Sequence, residues 1–475
     1  MAQPVQLVPP GVDSARDAAI LDRETGLRRE LTPRQLSMIA LGGAIGTGLF
    51  LGSAISVKLA GPGVILSYLA GAAIAAAVGW ALAEMAVAHP VAGSFGVYAE
   101  MYVHPWAGFA MRYSYWLGQA VAIGSEVVAA SIYMRLWFPA LPAWVWIVGF
   151  STALIWVNAR AVGNFGRFEY WFAMIKVATI VVFLILGGAL ILGLDFMHGS
   201  RAKALGFANY TAYGGFLPHG WTGVWLGVAM AVFSYLGAET VAVTAGEASD
   251  PQAAVPRAMR SMLGRLALFY VGGMAVLVGV MPWTQAGLSE SPFVRVFQTV
   301  GIPAAAGLMN FVVLTAALSS MNTDLYLCSR MIFSLARGGY APAVFGRLSR
   351  RGAPRAALLV SSGGMALALL LELRYRETAF VHMLGAAFLC GLFVWIMILV
   401  THLVFRRRYR GAPLSFRAPG YPWLSAAGVA ALGAVTISTW WVPGMRITLM
   451  AGLPWLAFIT ACYLVWSRLR ASRDG

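Results

Sequence analysis

Leu41-Gly-Gly-Ala-Ile-Gly-Thr-Gly-Leu49 puts four glycines into seven residues in the middle of an apolar run that begins at Gln35. A glycine inside a helix costs up to about 1 kcal/mol relative to alanine. One account is close helix packing through small residues, which is common in membranes. The other is an unwound stretch, tolerated at membrane depth only where protein or a binding site satisfies its backbone. Two glycine clusters this close together favour unwinding. A second irregular centre, Phe233-Ser-Tyr-Leu-Gly-Ala-Glu-Thr240, sets a carboxylate and several hydroxyls around Gly237. A charged acid inside a span costs about 3 kcal/mol on insertion scales, so Glu239 calls for a reason.

The surrounding chain is membrane-like. Of 475 residues, 60% are hydrophobic and 11% charged, against about 25% charged in soluble domains. Mean hydropathy is +0.74. This excludes disorder, a disulfide scaffold and a soluble enzyme with one ordinary core. With roughly 20 apolar residues per crossing, twelve spans are expected, at about 35–58, 63–88, 106–135, 142–158, 165–194, 220–245, 262–283, 301–330, 356–373, 380–404, 422–440 and 447–467. The fold class is therefore an all-α membrane protein of twelve transmembrane helices. Residues 1–34 are polar, contain three prolines in the first ten, and are expected to form a largely disordered cytoplasmic tail. No cleaved signal peptide is apparent.

The net charge of +16 fits nucleic acid, anionic lipid or topology, and its placement decides. With the N-terminus inside, 25 of the 34 Lys and Arg fall in cytoplasmic loops and span ends, and only Lys176 lies well within a span. That is the positive-inside pattern. It places both termini in the cytoplasm, and nucleic acid is not needed as a partner.

The two breaks fall in spans 1 and 6. Five spans separate them, an odd number, so a second five-span unit enters from the opposite side. Paired discontinuous helices in inverted repeats mark a secondary-transporter site at the midplane, as in the leucine-transporter architecture. The expected divisions are a first repeat over 35–195, an extracytoplasmic loop over 196–219 and an inverted second repeat over 220–405. A cytoplasmic loop over 406–421, helices 11 and 12 over 422–467 and a tail over 468–475 complete the chain. A half-helix N-terminus offers N–H donors to a carboxylate, and unwound carbonyls offer acceptors to an ammonium. Such a site suits a zwitterion, an amino acid held by its backbone, with spans 3, 6, 8 and 10 selecting the side chain.

Several motifs in order resemble bacterial amino acid permeases of the amino acid–polyamine–organocation superfamily. These are LSMIALGGAIGTGLFLGSA over 36–54, Glu84-Met85, Pro90-Val-Ala-Gly-Ser-Phe95 and Tyr133-Met134 with Trp137-Phe-Pro139. Glu169-Tyr-Trp-Phe-Ala-Met-Ile-Lys176, Glu247-Ala-Ser-Asp-Pro251 with Val255-Pro256, Ser291-Pro292-Phe293 and Ser329-Arg330-Met331 follow. The resemblance covers roughly 30–410. It implies five-plus-five inverted repeats with two extra helices, and uptake driven by protons in the inner membrane of a bacterium. It also implies that Gly46, Thr47 and Gly48 bind the substrate carboxylate through backbone N–H groups. Carbonyls near Ala44, Phe233 and Leu236 would receive the amino group, with Ile45 and Gly237 in the same unwound stretches.

The ionisable residues inside spans are the mechanistic candidates. Lys176 either snorkels to the interface or, as the resemblance and its burial together imply, sets its ammonium against the unwound backbone of span 1. A sodium ion occupies that place in related sodium-coupled carriers, and an ammonium there would gain and lose a proton as the carrier alternates. Glu239 is either a structural acceptor for unwound N–H groups or a second protonation site. Glu126 either lines the cavity or pairs with Lys176 or another donor. Glu84 and Asp324 must face protein or water. Ser319 and Asn322, in the polar stretch of span 8, either line the path or bond neighbouring helices, and Ser320 and Asn322 lean to the structural role.

Cys328, Cys390 and Cys462 are too far apart for a redox pair or zinc site, and the six histidines show no metal spacing. No phosphate loop, dinucleotide fingerprint or nucleophile motif is present, so no metal, cofactor or enzyme activity is expected. The expected partners are an amino acid with a neutral side chain, protons and membrane lipid. An exchanger of the same fold is the closest alternative. A channel or membrane enzyme is weaker for want of a continuous polar pore or a catalytic set.

Overall fold

Helices form the regular structure of the computed structural model, which describes residues 15–23, 38, 41–91, 93–160, 165–194, 206–243, 245, 248, 250–299, 303–349, 354–376 and 378–474. In chain order they are α1 (Ala15–Arg23), α2 (Ser53–Ala60), α3 (Val64–Ala88), α4 (Ser94–Tyr102), α5 (Pro105–Met134) and α6 (Ala143–Arg160). Then come α7 (Phe165–Leu192), α8 (Gly220–Tyr235), α9 (Thr240–Val243), α10 (Pro251–Val280), α11 (Pro292–Thr299) and α12 (Pro303–Arg337). The last are α13 (Arg355–Ser361), α14 (Gly363–Arg374), α15 (Ala379–Arg408), α16 (Trp423–Ser438) and α17 (Ile447–Asp474).

Among the described residues, nine helical runs are long and apolar enough to cross a membrane, and α6 and α16 are shorter apolar helices. The first run, Leu41–Ala88, has 48 residues, about twice what one crossing needs. It is interrupted at Gly61-Pro62-Gly63, where Gly61 takes φ +59°.

The helices pack in two groups. α5 is the axis of one, with α4, α12, α14 and α15 along it. In the other, α8 packs on α2 and α3, and α10 packs on α3. Burial follows this order: 78% of the α5 window and 83% of the Gly220–Val243 window lie inside, against 22% for Ile447–Arg470. α7 leaves Trp171 and Ile185 more than half exposed. Apolar faces of that size on a spanning helix suit contact with lipid tails.

Helix starts follow local chemistry. The His104 ring accepts from Trp106 N at 3.1 Å and Pro105 takes the first position of α5. Asp250 Oδ1 accepts from Ala253 N at 3.3 Å and Pro251 opens α10. This cap starts α10 well before residue 262, where the seventh span was expected. The ninth expected span is found as α13 and α14, parted at Ser362. Within the expected tail, α1 forms a helix with Ile20 and Leu21 buried. The rest of the tail, residues 35–37 and 39–40 of the first expected span and residues 196–205 lie outside the described residues.

Candidate functional site

The first span is helical over 41–44, bends at Ile45 and Gly46, and resumes as a π-helical turn over Gly48–Gly52. Unpaired backbone groups at this depth are costly, and side chains from four helices take the freed carbonyls. Lys176 Nζ of α7 donates to Gly42 O at 2.6 Å, and the Tyr270 hydroxyl of α10 to Ala44 O at 2.6 Å. Ser320 Oγ of α12 donates to Ile45 O at 3.4 Å, and Ser234 Oγ of α8 to Gly48 O at 2.9 Å. On the donor side, Thr47 N–H donates to Glu126 Oε1 of α5 at 3.3 Å.

The second break begins where α8 stops at Tyr235. Leu236 is extended, and Gly237 takes φ +102°, a conformation that favours glycine. The helix restarts as α9 at Thr240. Glu239 Oε2 accepts from its own turn, Gly237 N at 3.0 Å, and from Trp395 Nε1 of α15 at 3.0 Å. The breaks touch: a Cβ on Gly237 would stand 3.0 Å from Gly43 O.

Between them lies a cavity with an empty volume of ≈ 670 Å³, counting space that opens towards solvent. Gly43, Ala44, Gly46 and Gly48 line it from the first break, and Phe233, Ser234, Leu236, Gly237 and Glu239 from the second. α5 contributes Tyr115, Gly118, Gln119, Ala122 and Glu126, α12 contributes Asp324, and α15 contributes Ala387, Gly391 and Val394. Asp324 Oδ1 accepts from Gln119 Nε2 at 3.0 Å.

Not every expected site residue faces this space. Ile45 is fully buried away from it, and Thr47 turns its N–H to Glu126 without lining the wall. Ser319 Oγ donates to Glu169 Oε1 at 2.7 Å, and Asn322 Oδ1 accepts from Asn158 Nδ2 of α6 at 2.8 Å. Both side chains bond neighbouring helices and are absent from the cavity lining. Successive α12 residues point about 100° apart, so Asp324 faces the cavity while these two do not.

A profile of the amino acid permease family matches residues 35–473. The chain belongs to the amino acid permease family. Amino-acid permease RocC of Bacillus subtilis is 38% identical to it over 94% of this chain and 96% of its own length. The gamma-aminobutyric acid permease of the same organism is 36% identical over 95% and 96%. YbxG, described as a probable threonine/serine transporter, also from that organism, is 36% identical over 93% and 95%. This permease is thus a multi-pass membrane transporter of amino acids, not an enzyme. The family carries the leucine-transporter-like fold.

Glu169 stands beside the first break, and the sequence marked it only inside a motif. It is fully buried, and a Cβ on Gly42 would collide with its Oε1. It therefore meets the same backbone position as Lys176. The signal was available: residues seven apart, such as Glu169 and Lys176, share a helix face. Gln119, Tyr270 and Trp395 had no comparable signal, since each is an ordinary residue in an apolar run.

Two buried ionic networks lie away from the cavity. Arg112 of α5 is fully buried, donating to Glu100 and, through Nε, to Gly108 O at 3.1 Å. The Tyr340 hydroxyl donates to the same Glu100 at 2.9 Å. Glu84 faces protein, bonded to His402 and Arg406. Among the described residues no cluster of His, Cys, Asp and Glu is arranged to hold a metal ion.

Proposed function

We propose that this permease imports amino acids with neutral side chains across the cytoplasmic (inner) membrane by proton symport with alternating access. The proposal includes twelve transmembrane helices, counting Leu41–Ala88 as two crossings and adding α6 and α16. Five plus five form inverted repeats, α16 and α17 stand outside them, and both termini are cytoplasmic. The backbone of the two breaks holds the zwitterion. The walls of Gly118, Ala122, Ala387, Gly391 and Val394 leave room for a modest apolar or hydroxyl side chain. No Lys or Arg lines the cavity among the described residues, which disfavours acidic cargo.

The observation that carries this reading is the Lys176 ammonium on Gly42 O at 2.6 Å. This contact sets a basic side chain of α7 beside the first helix break, which supports a protonatable group there. Lys176 is the proposed proton carrier, with Glu239 the second candidate. A basic or imidazole side chain is the second reading, favoured by Asp324 at the cavity wall.

The test is uptake of labelled amino acids into proteoliposomes with an imposed pH gradient, acid outside. Wild-type protein accumulates substrate against its gradient. Lys176→Met keeps counterflow exchange and loses proton-driven accumulation. Accumulation that survives unchanged in Lys176→Met removes the lysine from the coupling, and counterflow without accumulation in the wild type makes the protein an exchanger.

A further inference from the structure

The N–H group of Thr47 is where the proposed function seats the carboxylate of an amino acid, and a carboxylate of the protein is already there. Glu126 Oε1 accepts from Thr47 N at 3.3 Å. Its approach to the backbone is close, since a Cβ on Gly46 would stand 2.7 Å from the same oxygen. Glu126 is 8% exposed, lines the cavity, and its Oε2 is buried with no hydrogen-bond partner. The side chain thus stands in the site as a substrate carboxylate would, with one oxygen on the helix-break donor and the other unmet.

Charged and titratable groups face it from the elements around. Lys176 comes from α7, Asp324 from α12, Tyr270 from α10 and Tyr133 from α5 itself. Lys176 is the cation of this set, and its Nζ is committed to Gly42 O. Two carboxylates cannot share one N–H donor in a site of low dielectric unless one of them takes a proton.

We propose that Glu126 is a built-in occupant of the carboxylate subsite, displaced as its neutral acid when an amino acid binds. Glu126 takes one proton, releases the Thr47 N–H, and the incoming carboxylate accepts that hydrogen bond. The charge of the subsite is the same before and after, so each bound carboxylate is matched by one proton. This deepens the proposed function and rests on it. It assigns the proton linked to binding to Glu126 and leaves Lys176 to respond to the change of access.

The experiment is binding of labelled L-threonine, L-alanine and L-histidine to purified full-length protein in nanodiscs across the acid to alkaline range. Calorimetry in buffers of different ionisation enthalpy counts protons taken up with the best binder. In the wild type Kd weakens with rising pH, approaching about tenfold per pH unit, and about one proton enters per amino acid. In Glu126→Gln both the pH dependence and the proton uptake vanish, while Lys176→Met retains both. Infrared difference spectra of the wild type, which need no variant to fold, show a protonated carboxyl band appearing on binding. A Glu126→Gln protein that keeps the wild-type slope and proton count overturns the proposal, as does a wild type that binds with no proton and no new carboxyl band. A wild type that binds none of the common amino acids at acid pH overturns the transporter reading itself. Binding with the wrong proton count overturns only the role of Glu126.

Discussion

Glu84 of α3 and Arg406 of α15 form a two-point ion pair, Nε to Oε1 at 2.5 Å and Nη2 to Oε2 at 2.8 Å. The carboxylate is fully buried and also receives His402 Nε2 at 3.0 Å and the Ala418 backbone N–H at 2.6 Å. Arg406 is itself one-fifth exposed. The pair joins α3, α15 and the strand of chain leading to α16, and it holds a buried charge that no single partner satisfies.

Breaking one side of such a pair leaves the other charge unmet, at a cost of about 3 kcal/mol or more. Glu84→Gln is therefore expected to lower the apparent Tm in detergent by several degrees. Arg406→Lys, which keeps the charge and loses the fork, falls between it and the wild type. Thermal unfolding followed by size-exclusion chromatography measures both. An unchanged Tm in Glu84→Gln removes the pair from the stability of the fold.

His89 follows α3 and is 1% exposed, with Nε2 2.6 Å from the Tyr102 hydroxyl. Burial pushes its pKa down from the ordinary 6.5 to about 4. The unfolded chain thus takes the proton first as acidity rises. Its contribution to stability is full above about pH 6.5 and is lost as the pH falls towards 4. In His89→Asn the apparent Tm is expected to fall less steeply over that window than in the wild type. Parallel curves for the two proteins count against a buried neutral imidazole.

Gly237→Ala forces a side chain to adopt φ +102° and sets its Cβ 3.0 Å from Gly43 O. The backbone strain alone is about 1–3 kcal/mol, equivalent to about fivefold to a hundredfold in rate when it falls on the limiting step. The variant is expected to fold and to reach the membrane with uptake reduced by that factor. Wild-type uptake in Gly237→Ala means that the two breaks need not touch.

Asp324→Asn keeps an acceptor for Gln119 Nε2 and removes a negative charge from the cavity wall. For neutral cargo, uptake of L-threonine stays close to wild type. Competition assays with L-histidine and L-lysine decide the alternative. Inhibition by either that is strong in the wild type and lost in Asp324→Asn transfers the preference to side chains bearing a nitrogen donor.

The glycine cluster at 42–48 and the acid at 239 were legible because both are expensive inside a membrane and so stand out against an apolar background. The same logic found Lys176 and Glu126. Their partners were not legible, since which carbonyl a lysine reaches depends on helix rotation and on contacts between residues 134 positions apart. Asn322 shows the limit clearly. Its polarity in an apolar run was visible, but only packing turns it to Asn158 and turns Asp324, two residues on, to the cavity. The early start of α10 was readable in principle from Asp250-Pro251, and hydropathy alone overlooked it because the first turns carry Arg257 and Arg260.

The polar end of the cavity is made of main chain, and its carbonyls are held by one side chain each from α7, α8, α10 and α12. Small residues of α5 and α15, among them Gly118, Ala122, Ala387 and Gly391, line the cavity elsewhere. Inheritance can therefore act on the two halves separately. Under the proposed function, drift in the carbonyl holders disables every cargo at once, whereas a change of side-chain size at Ala122 or Ala387 alters the diet of a descendant without rebuilding its engine.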